Sequence, residues 1–214
     1  MINTKDQEQL FKLIADYLDK DIVCIAIGGT AMMFLGYKTT TKDLDIVFAS
    51  EQDRRTFVRA IEQLGYKRQA LANIYDEKRK GHEHKPHMYT RGDERFDLFV
   101  RSVFGFELIM DQDSITQRWD FLGKKELTLY VLPIEDLILL KAITRREKDQ
   151  EDIEAIIRIE KTIDWDRIID TAIRQKGNNP WILIDLEEMM RELKKITFIP
   201  SKHFERIYEA QKAQ

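Results

Sequence analysis

Residues 22–48, IVCIAIGGTAMMFLGYKTTTKDLDIVF, constrain the fold more than any other stretch of the chain. An apolar, β-rich run over 22–27 ends in Gly28-Gly29-Thr30. A short amphipathic run over 31–35 follows, and a second strand over 44–48 completes a strand, glycine turn, short helix and strand. Asp43 and Asp45 stand at the start of that second strand, and an i, i+2 pair on a strand points to one side. Two such carboxylates repel each other unless they are solvated, protonated or shared by a cation, and hard oxygen donors of this kind suit Mg²⁺ or Mn²⁺. The glycine pair supplies a complementary half. Glycine permits positive φ and close backbone approach, and a helix that starts there aims free N–H groups at an anion such as a phosphate.

Gly28-Gly29 followed by Asp43-Leu44-Asp45-Ile46 resembles the signature of the nucleotidyltransferase superfamily whose fold is shared with DNA polymerase β. Within it, the chain is similar to the minimal nucleotidyltransferase-like proteins related to abortive-infection and toxin–antitoxin nucleotidyltransferases. In that family a third carboxylate comes from a later strand, and Arg95-Phe96-Asp97-Leu98-Phe99-Val100 offers one in Asp97, with Phe96, Leu98 and Val100 on the other face. Many relatives have Gly-Ser where this chain has Gly28-Gly29, so a hydroxyl would come from Thr30. The resemblance covers about residues 22–155. It implies an α+β fold, a mixed β-sheet with flanking helices over 1–132, followed by a helical C-terminal region over 133–214 packed on it.

The resemblance also implies a two-metal site in which Asp43, Asp45 and Asp97 hold Mg²⁺ or Mn²⁺ and an NMP passes from an NTP to a hydroxyl acceptor. Gly28, Gly29 and Thr30 would position the phosphates. Lys141 matches a lysine that contacts the nucleotide phosphates in relatives, although a lysine on an apolar helix also snorkels to water. Residues 145–153, RREKDQEDI, look like the Arg-x-Lys-Asp-x-x-Asp segment of these proteins. There Arg146 and Lys148 would reach a triphosphate or an acidic partner and Asp149 would cap the next helix; a charged interhelical loop with local ion pairs is the plainer reading.

The remaining constraints are broader. A net charge of −3 offers no whole-molecule attraction for nucleic acid. Residues 67–91 are locally basic, with Lys67, Arg68, Lys78, Arg79, Lys80, Lys85 and Arg91 against Asp76, Glu77 and Glu83, which favours an anionic acceptor such as tRNA. Three of the four histidines, His82, His84 and His87, lie there. They read as a solvated hairpin tip, because loop histidines without supporting carboxylates are rarely ligands; a metal site is the sharper alternative. Cys24, alone and inside the first strand, reads as a buried thiol. No apolar run reaches membrane-spanning length and the polar N-terminus lacks a signal-peptide core, so a cytoplasmic protein without a membrane partner is expected.

Helices are expected over 4–19, 51–64, 114–121, 134–145, 152–161, 165–175, 180–195 and 202–210, with strands over 66–75, 95–100 and 127–132. Gly123 would close the helix over 114–121. Two further functions stay open: a catalytically silent member of a toxin–antitoxin or defence pair that acts by binding its partner, and metal-dependent hydrolysis through the histidine loop.

Overall fold

Apolar side chains alternating along several short strands, with helices between them, build a nine-stranded mixed sheet, seven strands of which form one continuous path. The computed structural model describes residues 2–69, 86–108 and 117–212. In chain order the strands are β1 (Ile2–Asn3), β2 (Ile22–Ala26), β3 (Thr40–Thr41), β4 (Asp43–Phe48), β5 (Lys67–Gln69), β6 (His87–Arg91), β7 (Glu94–Val100), β8 (Ser102–Val103), β9 (Phe106–Glu107), β10 (Gln117–Leu122) and β11 (Glu126–Val131). The helices are α1 (Thr4–Tyr17), α2 (Gly28–Phe34), α3 (Glu51–Gln63), α4 (Ile134–Thr144), α5 (Glu147–Ile159), α6 (Trp165–Gln175), α7 (Ile182–Leu193) and α8 (Ser201–Lys212).

The chain divides into two units: residues 1–103 with 108–132, and residues 133–214 with the short excursion 104–107, which sequence reading leaves in the first. In the first unit the strand order is β10-β11-β2-β4-β7-β6-β5. β11 runs parallel to β2, and β4 runs parallel to β7, while the other neighbours are antiparallel. This is an α+β architecture.

Local chemistry sets the helix starts. Asn3 and Asp6 form a capping box on α1, and Ser50 accepts from the Asp53 amide at 3.1 Å to cap α3. Gly65, with φ +88°, ends α3 by turning the chain toward β5. On the α3 side of the sheet, Phe96 is fully buried and meets Phe57 and Tyr66 edge-on, with ring centroids 5.4 and 5.0 Å away. Cys24 is buried, its thiol directed at the Thr128 carbonyl, and burial pushes its pKa far above the ordinary thiol range.

One expected helix is a strand. Residues 117–122 alternate outward Arg118 and Asp120 with inward Trp119 and Phe121, a period of two, and pair with β11 in a hairpin. Phe121 packs on Phe11 and Trp119 on Phe34. Gly123 belongs to the hairpin turn: a Cβ there would lie 2.5 Å from the Ala15 carbonyl carbon. Residues 114–116 of that expectation, and residues 70–75 of the strand expected over 66–75, lie outside the described residues.

In the second unit α4 to α8 pack through their apolar stripes. The Gln175 side chain exchanges two hydrogen bonds with the backbone of Glu107, and Asn179 Nδ2 donates to the Phe104 carbonyl, which ties the excursion to the α6–α7 corner. Asn179 sits just ahead of α7, whose first residue is Ile182 rather than Pro180. Among the described residues no helix is long and apolar enough to cross a membrane. Replacing Phe96 with Ala should destabilise the first unit by about 3–5 kcal/mol, read from urea unfolding midpoints, because the cavity opens between two aromatic neighbours that cannot close over it.

Candidate active site

Register decides what meets what on the sheet. In the parallel β4–β7 pair Asp43 lies beside Arg95 and Asp45 beside Asp97. Neighbouring strands stand roughly 4.8 Å apart and their side chains alternate faces, so Asp43, Asp45 and Asp97 share one face, opposite the Phe96 face that α3 covers. Asp43 and Asp45 are half-buried at the rim, and Asp97 is buried behind them at 2% exposure.

The glycine turn is built against this face. Gly28 has φ +53°, in the left-handed region, and a Cβ there would fall 2.4 Å from Asp45 Oδ2. The Gly29 amide donates to the same Asp45 oxygen at 3.3 Å, and a Cβ on Gly29 would meet the Thr41 hydroxyl at 2.6 Å. Thr30 is fully buried, and its hydroxyl accepts from the Asp45 amide at 2.8 Å. The Thr30 hydroxyl thereby locks α2 to β4 as an acceptor, which leaves its own O–H as a donor.

Arg95 is the residue to which the sequence alone assigns no part in the site. Its Nη2 donates to Asp43 Oδ2 at 2.7 Å and to Asp97 Oδ2 at 3.1 Å. The signal was present: Arg95 and Asp97 are an i, i+2 pair on one strand. Only the parallel register adds Asp43 to them. Among the described residues no group of three or more acidic, imidazole or thiol side chains is gathered as a metal's ligands. The donor set nevertheless fits a hard divalent cation, since it is all carboxylate, comes from two adjacent strands and lies beside a backbone that only glycine permits.

Residues 5–198 match a family described as "Nucleotidyltransferase of unknown function (DUF6036)". The chain belongs to this family. No curated protein matches it. Its class is thus nucleotidyltransferase.

The family's other expected residues, Lys141, Arg146 and Lys148, lie in the second unit. Lys141 is buried at 5% exposure, with Nζ 3.1 Å from Asp149 Oδ1 and 2.7 Å from Asp152 Oδ2. Arg146 Nε donates to Asp149 Oδ2 at 2.5 Å, and the Thr144 hydroxyl donates to the same oxygen. Lys141 does not snorkel to water: it is a core cation neutralised by two aspartates, and Arg146 makes a local ion pair with Asp149 of the kind the plainer reading of this segment expects. Asp149 does not cap α5. Arg146 holds the N-cap position, and Asp149, the third residue of the helix, turns back toward α4. Lys148 is exposed on the first turn of α5.

Of the histidine group, His82 and His84 lie outside the described residues, as do Lys78, Arg79, Lys80 and Lys85. His87 opens β6, half-buried, and its burial together with the charges of Arg54 and Arg68 lowers its pKa. Lys67 and Arg68 are exposed on β5, whereas Arg91 is bound to Glu94 and stacks on Tyr66.

Gly28→Ala should cost about 1 kcal/mol or more, through positive φ and the collision with Asp45, and should be visible as a lowered thermal midpoint. A pH effect follows from Asp149. Burial pushes its carboxyl up, but the Arg146 hydrogen bond and the charges of Lys141 and Arg146 outweigh burial and hold it below the usual carboxylate range. A depressed folded pKa means stabilisation that is complete above about pH 4 and is lost as pH falls through the folded value. Asp149→Asn should therefore be less stable than wild type at neutral pH, and the gap in urea midpoints should narrow in acid.

Proposed function

We propose that the protein is a metal-dependent nucleotidyltransferase that moves an NMP from an NTP to a hydroxyl acceptor in the cytoplasm. The observation that carries this reading is the β4–β7 register, which puts Asp97 directly beside Asp45 and on the face of Asp43. Family membership supports the class.

Asp43 and Asp45 would hold the cation that grips the triphosphate and, with Asp97, the cation at the acceptor. Bound Mg²⁺ or Mn²⁺ supplies charge neutralisation of the phosphates and lowers the pKa of the attacking hydroxyl. The acceptor oxygen forms its bond to the α-phosphorus as the bond to the bridging oxygen breaks, and pyrophosphate leaves. Gly28 and Gly29 let the backbone come close to the phosphates, and Thr30 keeps that backbone in register with Asp45. For Lys141, Arg146 and Lys148 a role at the nucleotide phosphates rests on the resemblance alone.

The basic residues of 67–91 favour an anionic acceptor such as tRNA over a protein side chain or a small hydroxylated molecule. A role in a toxin–antitoxin or defence system, with a cognate partner, belongs to the same reading. Incubation with each α-³²P-labelled NTP, Mg²⁺ or Mn²⁺, and total tRNA or lysate should leave label on the acceptor band. Asp45→Asn should abolish that label while the circular dichroism spectrum stays unchanged. Equal labelling by Asp45→Asn would overturn the assignment, and absence of label and of nucleotide binding in wild type would favour a catalytically silent binding partner.

A further inference from the structure

The Arg95 guanidinium bridges Asp43 and Asp97. A single nitrogen, Nη2, serves carboxylates from two different strands. The pair is not a surface accident, since the Arg95 side chain is 24% exposed and Asp97 only 2%. The hold is also incomplete. Arg95 Nε is buried with no hydrogen-bond partner among the described residues, so the planar fork that makes arginine a strong carboxylate ligand is not used in full.

Three carboxylates on one face would repel one another strongly in a half-buried setting, and one positive charge bridging two of them relieves much of that repulsion. We propose that Arg95 is a built-in counter-cation of the carboxylate site: it holds Asp43 and Asp97 in place while no metal is bound, and it must release Asp97 before that carboxylate can serve as a metal ligand. The inference rests on the reading of Asp43, Asp45 and Asp97 as metal-binding. Arg95 thereby does two opposed things. It stabilises the metal-free protein, and it weakens the affinity for a divalent cation by the free energy of the ion pair that has to open.

The test measures binding without any turnover. Mn²⁺ is titrated into nucleotide-free wild type, Arg95→Met, Arg95→Lys and the Arg95→Met/Asp45→Asn double variant, with free Mn²⁺ read by electron paramagnetic resonance and thermal midpoints recorded with and without metal. Arg95→Met should bind Mn²⁺ about tenfold more tightly than wild type, the factor that corresponds to about 1.4 kcal/mol. It should have a lower midpoint without metal and a larger gain on adding it, and Asp45→Asn should remove the gain in affinity. Arg95→Lys keeps the charge but lacks the planar fork, so a smaller change in the same direction is expected; it carries the test should Arg95→Met fail to fold. Wild type that binds Mn²⁺ as well as either variant, or better, overturns the role of Arg95 and leaves the metal site standing. Absence of Mn²⁺ binding in every variant overturns both.

Discussion

The parallel pairing of β4 with β7 is the constraint on which the site depends. Strand alternation makes Asp43 and Asp45 neighbours whatever else the chain does, but Asp97 joins them only if β7 runs parallel to β4 in this register. A slip of one residue would exchange Asp97 for Phe96 or Leu98 and send the carboxylate into the core against Phe57. The aromatic packing of Phe96 on Phe57 and Tyr66 is thus also what aims Asp97 at the other face. Core packing and site geometry are two sides of the same strand.

A charge balance of the same kind recurs in each unit. In the first, Arg95 neutralises part of a carboxylate group that the fold forces together. In the second, Lys141 and Arg146 neutralise Asp149 and Asp152 at the corner between α4 and α5, where Arg145 takes a left-handed backbone with φ 53° and ion-pairs with buried Asp185. The difference lies in burial. Lys141 and its aspartates are sealed in a helical core, where opening the network would leave an uncompensated charge. Arg95 and Asp43 sit at the rim, where water and ligands can exchange with them.

Much of this was legible from residue types and spacing. Gly28-Gly29, Asp43-x-Asp45 and the β-strand alternation around Asp97 are local patterns, and local patterns survive in a sequence. Long-range partners do not. Arg95 reads as an ordinary flanking base until the register brings Asp43 alongside, and Lys141 reads as a snorkelling or phosphate-binding lysine until α5 folds back to present Asp149 and Asp152. The tie of the Thr30 hydroxyl to the Asp45 amide, across the turn, is likewise invisible until α2 and β4 are placed together. Residues 117–121 read as the end of a helix because their period of two is short and Gly123 stops helices and turns hairpins equally well.

The central claim is that Asp43, Asp45 and Asp97 form one metal-binding group at the glycine turn. Crystals grown with Mn²⁺ and a non-hydrolysable NTP analogue, measured at the manganese edge, address it most directly. The account predicts anomalous peaks within coordination distance of these three carboxylates, with the analogue's phosphates beside Gly28 and Gly29. Peaks confined to other residues, or an analogue bound away from the glycine turn, would contradict it.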